Sequence, residues 1–298
     1  DGEIIKTGTT RQTFYFLKTE KNKKILVPLQ PGVEEHKVWQ ENFLADFETL
    51  PKNVLDICEY GFLEMLNNAI DHSEGTGVVI KTVWASDSIT IAIRDDGIGI
   101  FRKIKVAENL ADERESVLHL SKGKFTTDPE NHTGEGIFFT SRAFDIFHII
   151  SRGVSYIRTN WDEDWFVETA KDENVPGTGL IMKIALDSQR KMQEVYAEYQ
   201  HEDSDGIQSF DKTHILVQLS QLGDERYVSR SQARRIVLRL EKFRHVTLDF
   251  RDISTVGQGF VDEVFRVFQS KHPRIKIEYT NANDDVRFMI QRSLPSNH

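Results

Sequence analysis

The sequence predicts an α+β fold in two domains, the second of them smaller and of α/β type. Three observations lead there. A long amphipathic helix over about residues 51–73 is followed by a β-hairpin, Val78–Trp84 and Ile89–Ile93, and not by single parallel strands. Beyond residue 211, strands alternate with helices, which implies a small open sheet. Between the two halves, His201-Glu202-Asp203-Ser204-Asp205-Gly206 reads as a boundary. The expected organisation is a β element at 1–30, a first domain at 31–190, a linker at 191–210 and a second domain at 211–298.

The chain has 298 residues, enough for about two domains, and at 39% hydrophobic and 29% charged it has an ordinary globular composition. Forty-seven acidic against 38 basic residues give a formal charge of -9, which argues against a general nucleic-acid binder. Cys58 is the single cysteine, so no disulfide framework can form and a reducing cytoplasm fits. No run approaches the roughly eighteen apolar residues of a membrane span, and no signal-peptide pattern opens the chain, so no membrane partner is expected. The chain starts at Asp1 and not Met, and a processed or trimmed fragment is the expectation.

In order along the chain, Thr13–Leu17 and Ile25–Val27 flank a polar turn and read as a hairpin. It is either an edge hairpin of the domain that follows or the wing of a winged-helix domain preceding residue 1, and DNA is an expected partner only in the second case. Pro28 and Pro31-Gly32 mark a linker, and Glu34–Phe47 carries the spacing of an amphipathic helix. Pro51 then opens the long helix, where its missing N–H costs nothing. Val54, Cys58, Phe62, Met65 and Ala69 form its apolar stripe, with Cys58 as a small core residue. Glu64 and Asn68 lie four apart on another face, flanked by Asn67, Asp71 and His72. A carboxamide oxygen can ligate Mg²⁺ and a carboxylate one turn away can take a proton from water, although such a pair also makes an ordinary solvated face.

The hairpin strand Ile89–Ile93 runs directly into Asp95-Asp96-Gly97-Ile98-Gly99. This turn lacks the third glycine and the downstream acid of a dinucleotide fingerprint. Residues 100–133 form a long polar connector with short helices at Phe101–Leu110 and Glu113–Leu120, the place of a closing lid or of a surface loop. His132-Thr133-Gly134-Glu135-Gly136 opens a helix from Glu135 to Phe147, and strands follow at Val154–Thr159, Trp165–Thr169 and Gly179–Leu186, the last after Pro176-Gly177-Thr178. Asp187–Glu198 reads as a helix. His119 and His132 have no partners at zinc spacing. In the second domain, strands are expected at Thr213–Leu219, Val246–Phe250 and Arg274–Tyr279. Helices are expected at Arg230–Phe243, capped by Ser229, after Gly257-Gln258-Gly259, and at Asp284–Leu294.

The helix with Glu64 and Asn68, the Asp95-x-Gly97-x-Gly99 turn, the Gly134-x-Gly136 helix start and Gly177-Thr178 occur in an order that resembles the Bergerat-fold ATPases: gyrase, Hsp90, MutL-type proteins, histidine kinases and anti-sigma serine kinases. The resemblance covers roughly residues 50–186. It implies a two-layer α/β sandwich that binds ATP with Mg²⁺, with Asn68 as metal ligand and Glu64 as catalytic base. It implies Asp95 as acceptor for the adenine amine, Gly97 and Gly99 at base and ribose, Thr178 on the adenine side, and Gly134 and Gly136 at the phosphates. Lys124, with Lys122, is placed to swing from the lid onto the γ-phosphate. Asp96 is expected as a solvent-facing turn residue and Glu135 to point outward.

Residues 211–294 are similar to STAS-like domains, relatives of the anti-sigma-factor antagonists, through Leu248-Asp249-Phe250, Ile253 and Gly257-Gln258-Gly259-Phe260. Antagonists carry a phosphorylatable serine where this chain has Gly259; Ser254 and Thr255 are the nearby hydroxyls. The resemblance is nearest in character to the anti-sigma kinases, since His36 lacks the surroundings of a phosphoacceptor histidine. Three functions follow from it: a regulatory ATPase whose lid closure is coupled to the STAS-like domain, a protein serine/threonine kinase, or a non-catalytic ATP-binding scaffold. Each implies a regulatory protein partner and is compatible with a homodimer.

Overall fold

The computed structural model of the chain describes residues 4–9, 12–17, 22–126, 133–161, 165–168, 175–202, 208–222 and 228–293. The expectations placed on 127–132, 169, 172–174, 203–206 and 294 lie outside the described residues.

The elements begin with strands β1 (Ile4–Thr9), β2 (Gln12–Leu17) and β3 (Lys23–Pro28) and helices α1 (Glu35–Asn42), α2 (Leu44–Phe47) and α3 (Lys52–His72). Strands β4 (Gly77–Trp84) and β5 (Ser88–Asp95) follow, then helices α4 (Ile100–Glu108), α5 (Glu115–Lys122) and α6 (Gly136–Ala143). Next come β6 (Ile146–Ser151), β7 (Val154–Thr159), β8 (Trp165–Glu168), β9 (Gly179–Ala185) and α7 (Met192–Tyr199). The remainder comprises β10 (Gln200–Glu202), β11 (Gln208–Phe210), β12 (Lys212–Leu216), α8 (Arg230–Val237), β13 (His245–Asp249), α9 (Gln258–Val261), α10 (Gln269–Lys271), β14 (Lys276–Thr280) and α11 (Asp284–Ser293). A π-helical stretch, Asp262–Phe268, joins α9 to α10. No described helix is long and apolar enough to cross a membrane.

The chain divides into two compact units that do not follow chain order. Residues 1–103, 139–162 and 167–194 form the first, and 104–138, 163–166 and 195–298 form the second.

The first unit is mixed α/β. Its sheet has the strand order β3-β4-β5-β9-β6-β7. α3 packs on β5 and β9 and buries the expected stripe of Val54, Cys58, Phe62, Met65 and Ala69, widened by Ile57, Gly61 and Leu66. Burial raises the Cys58 thiol far above its ordinary pKa, in keeping with a core residue. Trp39 on α1 meets Phe47 edge-to-face at 4.8 Å and Phe62 at a tilt at 4.9 Å between ring centroids.

Three local expectations are corrected. The helix expected over Glu34–Phe47 is broken at Phe43, whose φ of -125° leaves the helical region. β2 pairs with β1, not with β3; β3 instead extends the sheet beside β4, in a register that sets Ile25 opposite Ile80 and Val27 opposite Val78. The helix expected to reach Phe147 ends at Ala143, and β6 follows it. There Asp145 donates its N–H to Lys183 O at 2.9 Å and accepts the Ala185 N–H at 2.7 Å, which draws the chain onto β9. Phe147, read as helical spacing, is an inward residue of the alternating strand β6.

The second unit holds a three-stranded parallel sheet in the order β12-β13-β14. Ser229 caps α8, with its N–H donating to Gln232 Oε1 at 2.7 Å. α8 stops at Val237, short of the expected Phe243, because Leu238 is extended and Arg239 adopts a φ of 69°. α5, expected within a polar and mobile connector, has all eight residues buried and packs on β12 and α8.

Candidate functional site

In the first unit, three separate sequence segments converge at the end of β5. Asp95 is its last residue and is 6% exposed. Its Oδ1 accepts the N–H of Gly97 at 2.9 Å and of Thr178 at 3.1 Å, while its own N–H donates to Thr178 O at 3.0 Å. No other residue among those described donates to Oδ2. Burial pushes the Asp95 carboxyl above the usual carboxylate range, and the two N–H donors oppose that shift.

The turn after Asp95 is held from both sides. Ile98 donates its N–H to Ser73 O at 2.9 Å, which ties the turn to the C-terminal end of α3. A Cβ on Gly97 would lie 2.0 Å from Ser73 O, so only glycine fits. Gly177 has a φ of +88°, and a Cβ there would lie 2.0 Å from Asp95 O. Thr178 Oγ1 accepts the Ile100 N–H at 3.0 Å, at the start of α4 and next to Gly99. Gly99 in turn sits against Ser151, whose hydroxyl donates to Gly177 O at 2.9 Å. Asp96 is exposed as expected, and it also organises the turn before β4. Its Oδ2 accepts the Thr76 hydroxyl at 2.5 Å, and its Oδ1 the N–H groups of Thr76 at 2.7 Å and Gly77 at 3.0 Å. These donors, the Thr76 hydroxyl first, hold its carboxyl below the usual range.

Glu64 and Asn68 sit one turn apart on α3, both half-buried. Asn68 Nδ2 donates to Glu64 O at 2.8 Å, which spends one of its two amide N–H donors on the helix. Asn68 Oδ1 accepts no bond among the described residues, so a hard cation would find one carbonyl oxygen there. No group of three His, Cys, Asp or Glu among the described residues could hold a metal by itself. Such a cation would therefore complete its shell with ligand oxygens and water. Sequence reasoning quoted Gly177 in the motif order without giving it a role, and gave none to Ser73 or Ser151, which carried no signal of one.

The other expected site residues, Lys124, Gly134 and Gly136, belong to the second unit. Gly134 has a φ of +73° and backs onto the Phe125 main chain, and Gly136 is the first residue of α6. Glu135, expected outward, is half-buried, and burial raises its carboxyl against the pull of Lys124. Lys124 Nζ donates to Lys242 O at 2.8 Å and lies 5.0 Å from the Phe243 ring and 5.4 Å from the Phe210 ring. Lys122 is 2% exposed and donates to Arg235 O at 2.7 Å and Leu238 O at 3.0 Å. Burial lowers its ammonium pKa to about 7.

At the carboxyl end of the second unit's sheet, Asp249 is fully buried. It accepts the Arg251 N–H at 2.8 Å and Asn281 Nδ2 at 3.0 and 2.9 Å, and His214 Nε2 lies 3.3 Å from it. Gly259, the second residue of α9, has Arg230 beside it; a Cβ there would meet Arg230 Cβ at 3.3 Å and Nε at 3.4 Å. Ser254 is exposed and Thr255 half-buried in the segment before α9.

No curated protein matches the chain. Residues 232–287, which run from α8 into α11, match the family described as a STAS-like domain of unknown function. The chain thus carries a mixed α/β domain followed by a smaller α/β domain of STAS-like type at its C-terminal end.

Proposed function

We propose that the first domain is a Bergerat-type ATP-binding domain and that the chain is a Mg²⁺-dependent regulatory ATPase whose nucleotide state is coupled to the STAS-like domain. The observation that carries this reading is Asp95, a buried carboxylate whose Oδ1 is fixed by Gly97 and Thr178 and whose Oδ2 takes no donor from another described residue. A charged acceptor held rigidly beside glycine backbone suits a flat ring with an exocyclic amine, as in adenine.

In this reading Oδ2 of Asp95 accepts the adenine amine, and Gly97 and Gly99 let the backbone approach base and ribose. Thr178 keeps its hydroxyl proton available for the base side while its oxygen holds the start of α4. Asn68 Oδ1 would ligate Mg²⁺, which when bound would neutralise charge on the phosphates. Glu64, one turn away, would take the proton of the attacking water.

The test is calorimetry with a non-hydrolysable ATP analogue and Mg²⁺, paired with phosphate release from ATP. Binding with slow turnover supports the reading. Binding without turnover makes the chain a scaffold, and label appearing on an added protein makes it a kinase. Absence of binding overturns the proposal.

A further inference from the structure

Residues 104–126 lie, by sequence, where a nucleotide-site lid would be, yet they are built into the STAS-like unit. α5 contributes Val117, Leu118 and Leu120 to its core and buries its polar residues there too. The fastenings are polar as well as apolar. Lys122 Nζ caps the carbonyls of Arg235 and Leu238 at the end of α8, while the Thr213 hydroxyl donates to Lys122 O at 2.8 Å. Arg235 lies 3.7 Å from Glu115, and Arg239 pairs with Glu108 and stacks over Phe125 at 5.2 Å. Lys124 and Lys242 each donate to the other's carbonyl, at 2.8 and 3.3 Å. Releasing three buried aliphatic side chains alone is disfavoured on the order of a thousandfold or more. A segment held in this way does not open as an independent flap.

We infer that residues 104–126 are a structural part of the STAS-like unit, so that the body displaced when this segment moves is the whole unit. This membership does not rest on the nucleotide reading above.

Hydrogen exchange on the full chain separates the two. Ile290 on α11 is fully buried, and α11 packs on α9 and the π-helical stretch. Ile290→Val should speed exchange in β13 roughly two- to tenfold, and by the same factor in α5. Val286→Ala should do the same with a larger factor. If β13 speeds up and α5 does not, α5 opens on its own and the inference is overturned. With Mg²⁺ and the ATP analogue, protection of α5 should change only in step with β13. A change of more than about tenfold in α5 alone would also overturn it. If calorimetry shows no nucleotide binding, the ATP reading fails, and the Ile290→Val comparison still decides whether 104–126 belong to the unit.

Discussion

Replacing Asp95 with Asn tests the nucleotide site at one atom. The amide oxygen can still face the N–H groups of Gly97 and Thr178, which lie 2.9 and 3.1 Å from Oδ1. The other position changes from a charged acceptor to an NH₂ donor, which would confront the adenine amine donor to donor. A hydrogen bond to a charged group contributes about 1.5–3 kcal/mol, so ATP affinity should fall roughly ten- to hundredfold. Folding should respond far less. The two N–H bonds weaken by about 1 kcal/mol each on losing the charge, but the burial that raises the Asp95 pKa no longer penalises an ionised group. Calorimetry with the ATP analogue and Mg²⁺, beside thermal unfolding of both proteins, reads the two effects separately. A pH series adds a second signature. The folded pKa is raised, so the carboxylate protonates on descending from neutral pH earlier than an ordinary Asp would. Wild-type affinity should therefore fall across that interval while the variant stays flat. A folded variant that binds ATP as tightly as wild type would refute the assignment of Oδ2 to the base.

Glu64→Gln keeps the side-chain size and removes its basicity, so phosphate release should drop by about 10²–10⁴-fold with ATP affinity little changed; equal turnover in both proteins would move the base elsewhere. Gly177→Ala forces an L-residue to a φ of +88° with its Cβ 2.0 Å from Asp95 O, and should cost at least about 2 kcal/mol in urea unfolding while weakening ATP binding. Lys122 has a folded pKa lowered by burial to about 7 from 10.5, so between these values the unfolded chain binds more protons and stability rises with pH. Lys122→Met should flatten that rise, at most about 1.4 kcal/mol per pH unit, as read from β13 exchange at pH 7 to 9; an unchanged slope would mean that another group titrates.

The long helix was legible because its stripe repeats five times at helical spacing, and the β4–β5 hairpin because alternation and turn residues coincide. The Asp95–Gly97 turn was legible as a motif, but its closure by Thr178 came only through family resemblance, since 83 residues separate the two. β6 was lost because Phe144 and Phe147 continue the spacing of α6, and only the pull of Asp145 towards β9 ends that helix. The placement of α5 was illegible for a different reason. Glu115, Ser116, His119, Ser121 and Lys122 give it a polar surface composition, and its burial is made possible by partners more than ninety residues away in sequence, such as Thr213 and Arg235.

By its resemblance to the anti-sigma-factor antagonists the chain has Gly259 at their phosphoacceptor position, with no strained φ and with neighbours that a side chain would crowd only slightly. The position is mute for want of an oxygen, not for want of room. Arg230 already stands beside it, a cation suited to receive a phosphate that this residue cannot bear. Residue 259 itself thus offers no hydroxyl to a kinase, whatever partner the STAS-like domain meets.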